Sequence, residues 1–70
     1  MTNTQQNIIV GFREDGKRVY FDGAKFTEDK TAVYLYDSHD DALSDWFDIN
    51  KRPYKRVFVC LAESLANFVD

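Results

Sequence analysis

The sequence predicts an α+β fold, in which one helix packs on one face of a small, mainly antiparallel sheet. Short segments rich in β-branched and aromatic residues, typical of strands, lie on both sides of residues 37–50. Within that stretch apolar residues recur at helical spacing. An Asp-Gly pair at residues 15–16 separates the first two strand-like segments and is a strong signal for a hairpin turn. The predicted order of elements is β-β-β-α-β.

The first two predicted strands, Asn7–Phe12 and Arg18–Asp22, form a hairpin around the turn at residues 13–17. Residues 1–6 are polar and are expected to be disordered, which leaves residues 7–70 as a single domain. A chain of 70 residues buries only about 60% of the surface that its unfolded form exposes, so we expect marginal stability.

The third strand is predicted at Thr31–Tyr36, after a polar connector over Ala24–Lys30 in which Phe26 anchors the loop to the core. A helix then begins at Ser38, which can cap its first turn, and ends at Asn50. Its broad apolar stripe is expected to contain Ala42, Leu43, Trp46 and Phe47, with Ile49 or Asn50 as a further member.

The fourth strand, Lys55–Leu61, follows a basic linker at Asn50–Lys55 and should return to the same sheet. Residues 62–70 have apolar side chains at roughly helical spacing. They are expected to form a short C-terminal helix, with an extended tail as the alternative.

Alternation of side chains along each strand predicts which residues share a face of the sheet. The face toward the helix is expected to carry Ile8, Val10, Val19, Phe21, Val33, Leu35, Val57 and Val59. The opposite face is expected to carry Arg18, Tyr20, Tyr34, Tyr36, Arg56 and Phe58. Tyrosine and arginine are enriched in protein interfaces, so either the C-terminal segment covers this second face, or a partner protein or a second copy of the chain binds there.

An acidic run without Lys or Arg accompanies the predicted helix. Its members are Asp37, Asp40, Asp41, Asp45 and Asp48. Residues 41, 45 and 48 follow i, i+4, i+7 spacing and should share one helix face. This run has three interpretations, namely an ordinary solvated face, a docking surface for a basic partner and a mimic of nucleic acid. For the docking surface, we expect the acids to act with Tyr20, Tyr34 and Tyr36.

One basic cluster stands against this acidic background. It consists of Lys51, Arg52, Tyr54, Lys55 and Arg56. Cations interleaved with an aromatic ring can hold phosphates and stack bases. The formal net charge of −3 argues against a broad nucleic-acid footprint, so nucleic-acid binding is the alternative function and not the leading one.

No motif in the chain indicates catalysis, a metal or a cofactor, and we expect a protein that is not an enzyme. His39 has no evident nucleophile to serve, and Cys60 lies in an apolar strand that favours an inert thiol. One cysteine cannot form an intramolecular disulfide or a Cys-based zinc site. The N-terminal residues lack the pattern of a signal peptide, and no apolar run is long enough to cross a bilayer, so a cytoplasmic location is expected.

The pattern along residues 8–48 resembles that of many short phage-encoded proteins. It consists of Gly16-Lys17, Tyr20-Phe21, Phe26-Thr27, Asp29-Lys30, Ala32 and a helix start near Asp41-Ala42. The resemblance implies an accessory protein of a phage or mobile element, a group that often binds and inhibits host proteins, including defence systems. Such a protein would act in the host cytoplasm.

The leading hypothesis is therefore a small protein-binding module that inhibits a host protein through the acidic helix face, the tyrosine-bearing sheet face, or both. Self-association into a homo-oligomer is a separate expectation, because the domain is small and its sheet carries aromatic residues on both sides.

Overall fold

The protein is an antiparallel four-stranded sheet with one α-helix packed on it, which confirms the α+β class. A computed structural model describes residues 6–49, 51, 54 and 56–67. The strands are β1 (Asn7–Phe12), β2 (Arg18–Phe21), β3 (Phe26–Thr27) and β4 (Arg56–Leu61), and the helix is α1 (His39–Asp48). Two 3₁₀ helices occupy Lys30–Ala32 and Ala62–Asn67. The strand order is β3-β2-β1-β4, so β1 lies inside the sheet and β4 at one edge.

The predicted hairpin of β1 and β2 is present, with Val10 opposite Tyr20. The Arg13 amide donates to the Lys17 carbonyl at 2.8 Å and closes the turn. Gly16 has a φ of 88°, a backbone conformation that a residue with a Cβ rarely adopts. The Asp-Gly signal thus corresponds to a real steric requirement of this turn.

The predicted third strand at Thr31–Tyr36 is wrong, because the third strand is β3, inside the segment predicted to be a connector. The Asp29 carboxylate accepts hydrogen bonds from the Thr31 amide at 3.0 Å and the Thr31 hydroxyl at 2.7 Å. These bonds cap a 3₁₀ turn, and a strand cannot form there at the same time. Of the predicted strand, Tyr36 forms an isolated β-bridge to Asn7, and Tyr34 donates a single backbone hydrogen bond to β2.

Two apolar clusters lie on the two faces of the sheet. The cluster under α1 contains Ile9, Phe21, Tyr36 and Ala42, with Phe26, Trp46, Ile49, Val57 and Val59 packed against it. The cluster on the other face contains Ile8, Val10 and Tyr20, with Val33, Phe58, Cys60, Ala62 and Leu65 packed against it. Ala62 and Leu65 of the C-terminal 3₁₀ helix thus pack on the second face, as the interpretation in which the C-terminal segment covers this face expects. Residues 68–70 of the predicted C-terminal helix lie outside the described residues.

The predicted faces are correct for β2 and β4 but wrong for β1. Ile9 lies opposite Val59 and shares the helix-facing side with it, so Ile8 and Val10 face the second cluster instead. Three consecutive apolar residues at positions 8–10 allow either assignment, because both faces of this central strand are covered. Val33 also packs on the second face, and Leu35 is 43% exposed.

The segment 33–36 passes around one end of the sheet and joins its two sides. Val33 belongs to the second cluster, whereas Tyr36 belongs to the cluster under α1. Backbone bonds fix this crossing, with the Tyr34 amide donating to the Phe21 carbonyl at 2.9 Å and the Tyr36 amide to the Asn7 carbonyl at 2.8 Å. The crossing delivers the chain to the start of α1 on the correct side of the sheet.

Ser38 caps α1 as predicted. Its side-chain oxygen accepts a hydrogen bond from the Asp41 amide at 3.1 Å, and Asp40 and Asp41 lie in the first turn, where negative charge is favourable. The helix ends at Asp48, where the Ile49 amide donates to the Asp45 carbonyl at 2.9 Å. Asn50, predicted to end the helix, lies outside the described residues.

Replacing Ser38 with alanine should lower the free energy of unfolding by about 1 kcal/mol, because the Asp41 amide loses its acceptor. Urea titrations followed by circular dichroism measure this change. Ser44→Ala is the matched control, since Ser44 is exposed in the middle of α1 and should not lose stability. Equal effects of the two substitutions would contradict the capping role of Ser38.

Candidate protein-binding surface

The outward side of α1 combines exposed carboxylates with an exposed aromatic ring. We call it the acidic helix surface, and it consists of Asp37, Asp40, Asp41, Phe47 and Asp48, all of which are exposed. The other side of the helix packs on the sheet through Ala42, Trp46 and Ile49. These three residues follow i, i+4, i+7 spacing, which turns the remaining acids toward solvent. No Lys or Arg occurs in α1.

Phe47 is 70% exposed, the largest exposed fraction among the large hydrophobic side chains that the structure describes. Its assignment to the buried stripe was therefore wrong. On the helix, position 47 lies seven residues from Asp40 and shares its side, whereas the stripe follows Ala42 and Trp46. The Phe47 ring contacts the edge of the Trp46 ring at a centroid distance of 5.0 Å.

Trp46 holds this part of the helix against β4. Its indole N–H donates to the Val57 carbonyl at 2.8 Å, and the Lys51 ammonium lies 4.1 Å from the centroid of its ring. A cation over an indole face is attracted by the ring quadrupole. These two contacts fix the backbone of this part of α1, from which Phe47 projects.

Asp45 does not belong to the acidic helix surface, although the sequence placed it in the same line as Asp41 and Asp48. It is partly buried and accepts a hydrogen bond from the Tyr36 hydroxyl at 2.6 Å. The line of acids at 41, 45 and 48 is thus interrupted by an internal contact. This contact also joins α1 to the segment that crosses the end of the sheet.

The three tyrosines predicted for the second sheet face have different positions. Tyr20 is fully buried in the second cluster, and Tyr36 is 5% exposed under α1, so neither ring is presented at the surface. Tyr34 is 49% exposed. Its ring meets the Tyr36 ring at 4.6 Å between centroids and lies beside Gly23, where an added Cβ would come within 3.3 Å of it. Of these three, Tyr34 alone can contribute to a binding surface next to α1.

The pKa of Tyr36 is raised above its ordinary value, first by burial and then by the hydrogen bond and charge of Asp45. Folding therefore holds the phenolic proton more tightly than the unfolded chain does. The stability that Tyr36 contributes is therefore complete below about pH 10, the ordinary tyrosine pKa, and falls as the pH rises above it.

Tyr36→Phe tests this contact. At neutral pH we expect it to lower the free energy of unfolding by about 1–2 kcal/mol, because a charge-assisted hydrogen bond is lost. The difference between native protein and variant should shrink as the pH rises above about 10, the range in which free tyrosine ionises. Urea unfolding at stepped pH values measures both effects, and a difference that is constant with pH would contradict the assignment.

The basic cluster is only partly described. Lys51 lies over Trp46, Tyr54 packs on Phe26 with 4.5 Å between ring centroids, and Arg56 is exposed at the start of β4. Arg52 and Lys55 lie outside the described residues. Because Lys51 and Tyr54 each contact an aromatic side chain of the domain itself, no observation favours nucleic-acid binding, and that function stays a prediction.

Two further features lie away from the acidic helix surface. A cavity of about 480 Å³ opens between the hairpin turn and β3, with Val19, Phe26 and Tyr54 among its lining residues. Arg13 on its rim pairs with Glu28. Burial raises the pKa of the Cys60 thiol, which makes its nucleophilic thiolate scarce at neutral pH.

In the described part of the chain, no three His, Cys, Asp or Glu side chains come together as a set that could hold a metal ion, despite the acidic run. No helix in that part has both the length and the apolar character needed to cross a bilayer.

Comparisons of the chain with protein-family models, with curated proteins and with solved structures found no match.

Proposed function

We propose that this protein is a non-enzymatic protein-binding module that engages a basic partner through the acidic helix surface. The observation that carries the proposal is the position of Phe47, 70% exposed among exposed aspartates on a helix without cations. Aromatic residues dominate binding hot spots, and exposed carboxylates on the same helix give the surface around this ring a charge that a partner can match.

The charges around Phe47 specify the chemistry of the partner. The carboxylates of the acidic helix surface attract a partner surface of opposite charge and raise the rate of association. They also repel acidic proteins. The central ring then requires an apolar recess in that surface. The expected partner is therefore a protein whose contact area has Lys or Arg around an apolar pocket.

The narrower function is inhibition of a host protein by a phage-type accessory protein. This part of the proposal rests on the resemblance along residues 8–48 and on the suitability of a small acidic domain for blocking a basic site. Blocking needs surface complementarity and no catalytic group, and the acidic helix surface meets that requirement.

Affinity capture with charge-matched variants tests the proposal. Native protein should retain a stoichiometric partner from the lysate of a host cell, and retention should weaken as salt rises. The double variant Asp40→Asn/Asp41→Asn should lose most of the partner. The control Glu14→Gln/Asp15→Asn removes the same charge from the exposed hairpin turn and should retain it.

Failure to capture any stoichiometric partner at low and moderate salt would overturn the proposal. Equal loss of the partner in the two double variants would also overturn it, because binding would then follow net charge and not the acidic helix surface.

A further inference from the structure

The pairing of β4 with β1 shows which backbone groups lie on the outer edge of β4. The Ala62 amide donates to the Gln6 carbonyl at 2.7 Å, which shows that even-numbered residues of this strand point their backbone groups toward β1. Alternation then turns the N–H and C=O groups of Val57, Val59 and Leu61 away from the sheet. Among the described residues no strand pairs with β4 on this side.

Trp46 closes one end of this edge. Its indole N–H donates to the Val57 carbonyl, which confirms that this carbonyl points outward and shows where the ring lies. A strand added beside β4 cannot pass Val57 without displacing the indole. Within the described part of the chain, the stretch of this edge that Trp46 leaves open is Val59–Leu61, with an N–H and a C=O at each of its two outward residues.

We propose that β4 pairs antiparallel with β4 of a second copy of this chain, about a two-fold axis at Cys60. In this register Val59 lies opposite the partner's Leu61, and both residues exchange N–H···O=C bonds, which gives four bonds in all. A register centred on Val59 would instead set the partner's Leu61 against Val57, where the indole of Trp46 lies. The edge thus selects one register.

Charge and composition favour a second copy over another extended chain. This register sets the exposed Arg56 of one copy opposite the partner's Ser64, one residue from its exposed Glu63, and the two-fold axis repeats this proximity of opposite charges. Between these ends β4 has apolar side chains and no proline, lysine or inward charge, the usual devices that prevent edges from pairing. The product is one continuous eight-stranded sheet.

Cys60 provides a native probe of this register. Directly opposed residues of a non-hydrogen-bonded antiparallel pair have Cα atoms about 4.5 Å apart, within the range that a disulfide requires. With diamide as the oxidant, two Cys60 thiols lose two protons and two electrons to the diazene and form an intermolecular disulfide. Because the thiol pKa is raised, the reaction is run at about pH 9.

The experiment combines sedimentation equilibrium with oxidation of the native chain. We expect a monomer–dimer equilibrium between micromolar and millimolar concentration, and a disulfide-linked dimer whose yield rises with protein concentration. Val59→Pro removes one outward N–H from each copy, so the dimer loses two of its four bonds. At about 1 kcal/mol per bond, dimerisation should weaken about 30-fold.

Val57→Pro is the matched control. The backbone groups of Val57 point outward like those of Val59, and both side chains pack on the cluster under α1. Val57 lies beyond the paired segment, however. This substitution should leave the dimerisation constant unchanged. A monomer at every concentration would overturn the proposal, as would equal weakening by the two proline variants in chains that circular dichroism shows to be folded. These readouts need no host partner, so they are independent of the proposed function.

Discussion

Replacing Ile9 with alanine is expected to lower the free energy of unfolding by about 2–5 kcal/mol. Ile9 is fully buried between the sheet and α1, in the cluster that also contains Phe21 and Ala42. A domain of this size has roughly 3–10 kcal/mol of stability, so this one truncation should remove a large share of it. Urea and thermal unfolding of the native protein and the variant measure the loss.

Phe47→Ala is the control for this prediction, because it also removes a large apolar side chain but from an exposed position. Its free energy of unfolding should stay within about 0.5 kcal/mol of the native value. A loss at Phe47 as large as that at Ile9 would show that the Phe47 ring is buried, and would remove the basis of the proposed binding surface.

The second large effect concerns binding and not folding. Phe47→Ala should weaken affinity for the captured partner by about 30-fold, equivalent to about 2 kcal/mol, which is typical of an aromatic hot spot. Calorimetric titration of the purified partner measures it. Leu35→Ala offers a matched control, since Leu35 is 43% exposed but lies outside α1 and should change affinity less than threefold.

Equal affinity of native protein and Phe47→Ala would contradict a central role of this ring. Because the substitution is expected to leave stability unchanged, a loss of affinity can be assigned to the binding surface and not to unfolding.

The parts of the fold that could be predicted from the sequence are those with local signals. The turn at Gly16 and the cap at Ser38 each depend on a few neighbouring residues, and both are present as predicted. The pairing of β4 with β1 also agrees with the predicted return of the chain to the sheet.

The errors arise where tertiary contacts outweigh local pattern. Residues 31–36 have strand-like composition, yet the Asp29 cap sets a 3₁₀ turn and the chain must then cross to the other side of the sheet. The run Ile8–Val10 has no polar residue to mark its outward side, so its register could not be read from alternation alone.

The candidate surface was partly visible in the sequence. The acids of α1 were apparent, but Tyr36 and Asp45 were wrongly assigned to the surface. Their hydrogen bond joins residues nine positions apart across the start of the helix, and no local pattern indicates it. Phe47 was missed because a broad apolar stripe includes it. A narrower stripe through Ala42, Trp46 and Ile49 would have separated it from the core.

Chemical-shift mapping of the ¹⁵N-labelled protein with its purified partner tests the binding surface most directly. We expect the largest changes in backbone amides at His39–Asp48 and in the ring signals of Phe47, with small changes in the hairpin turn at residues 13–17. Changes confined to the hairpin turn or to the edge of β4, with α1 unaltered, would contradict the assignment of the acidic helix surface as the site of partner binding.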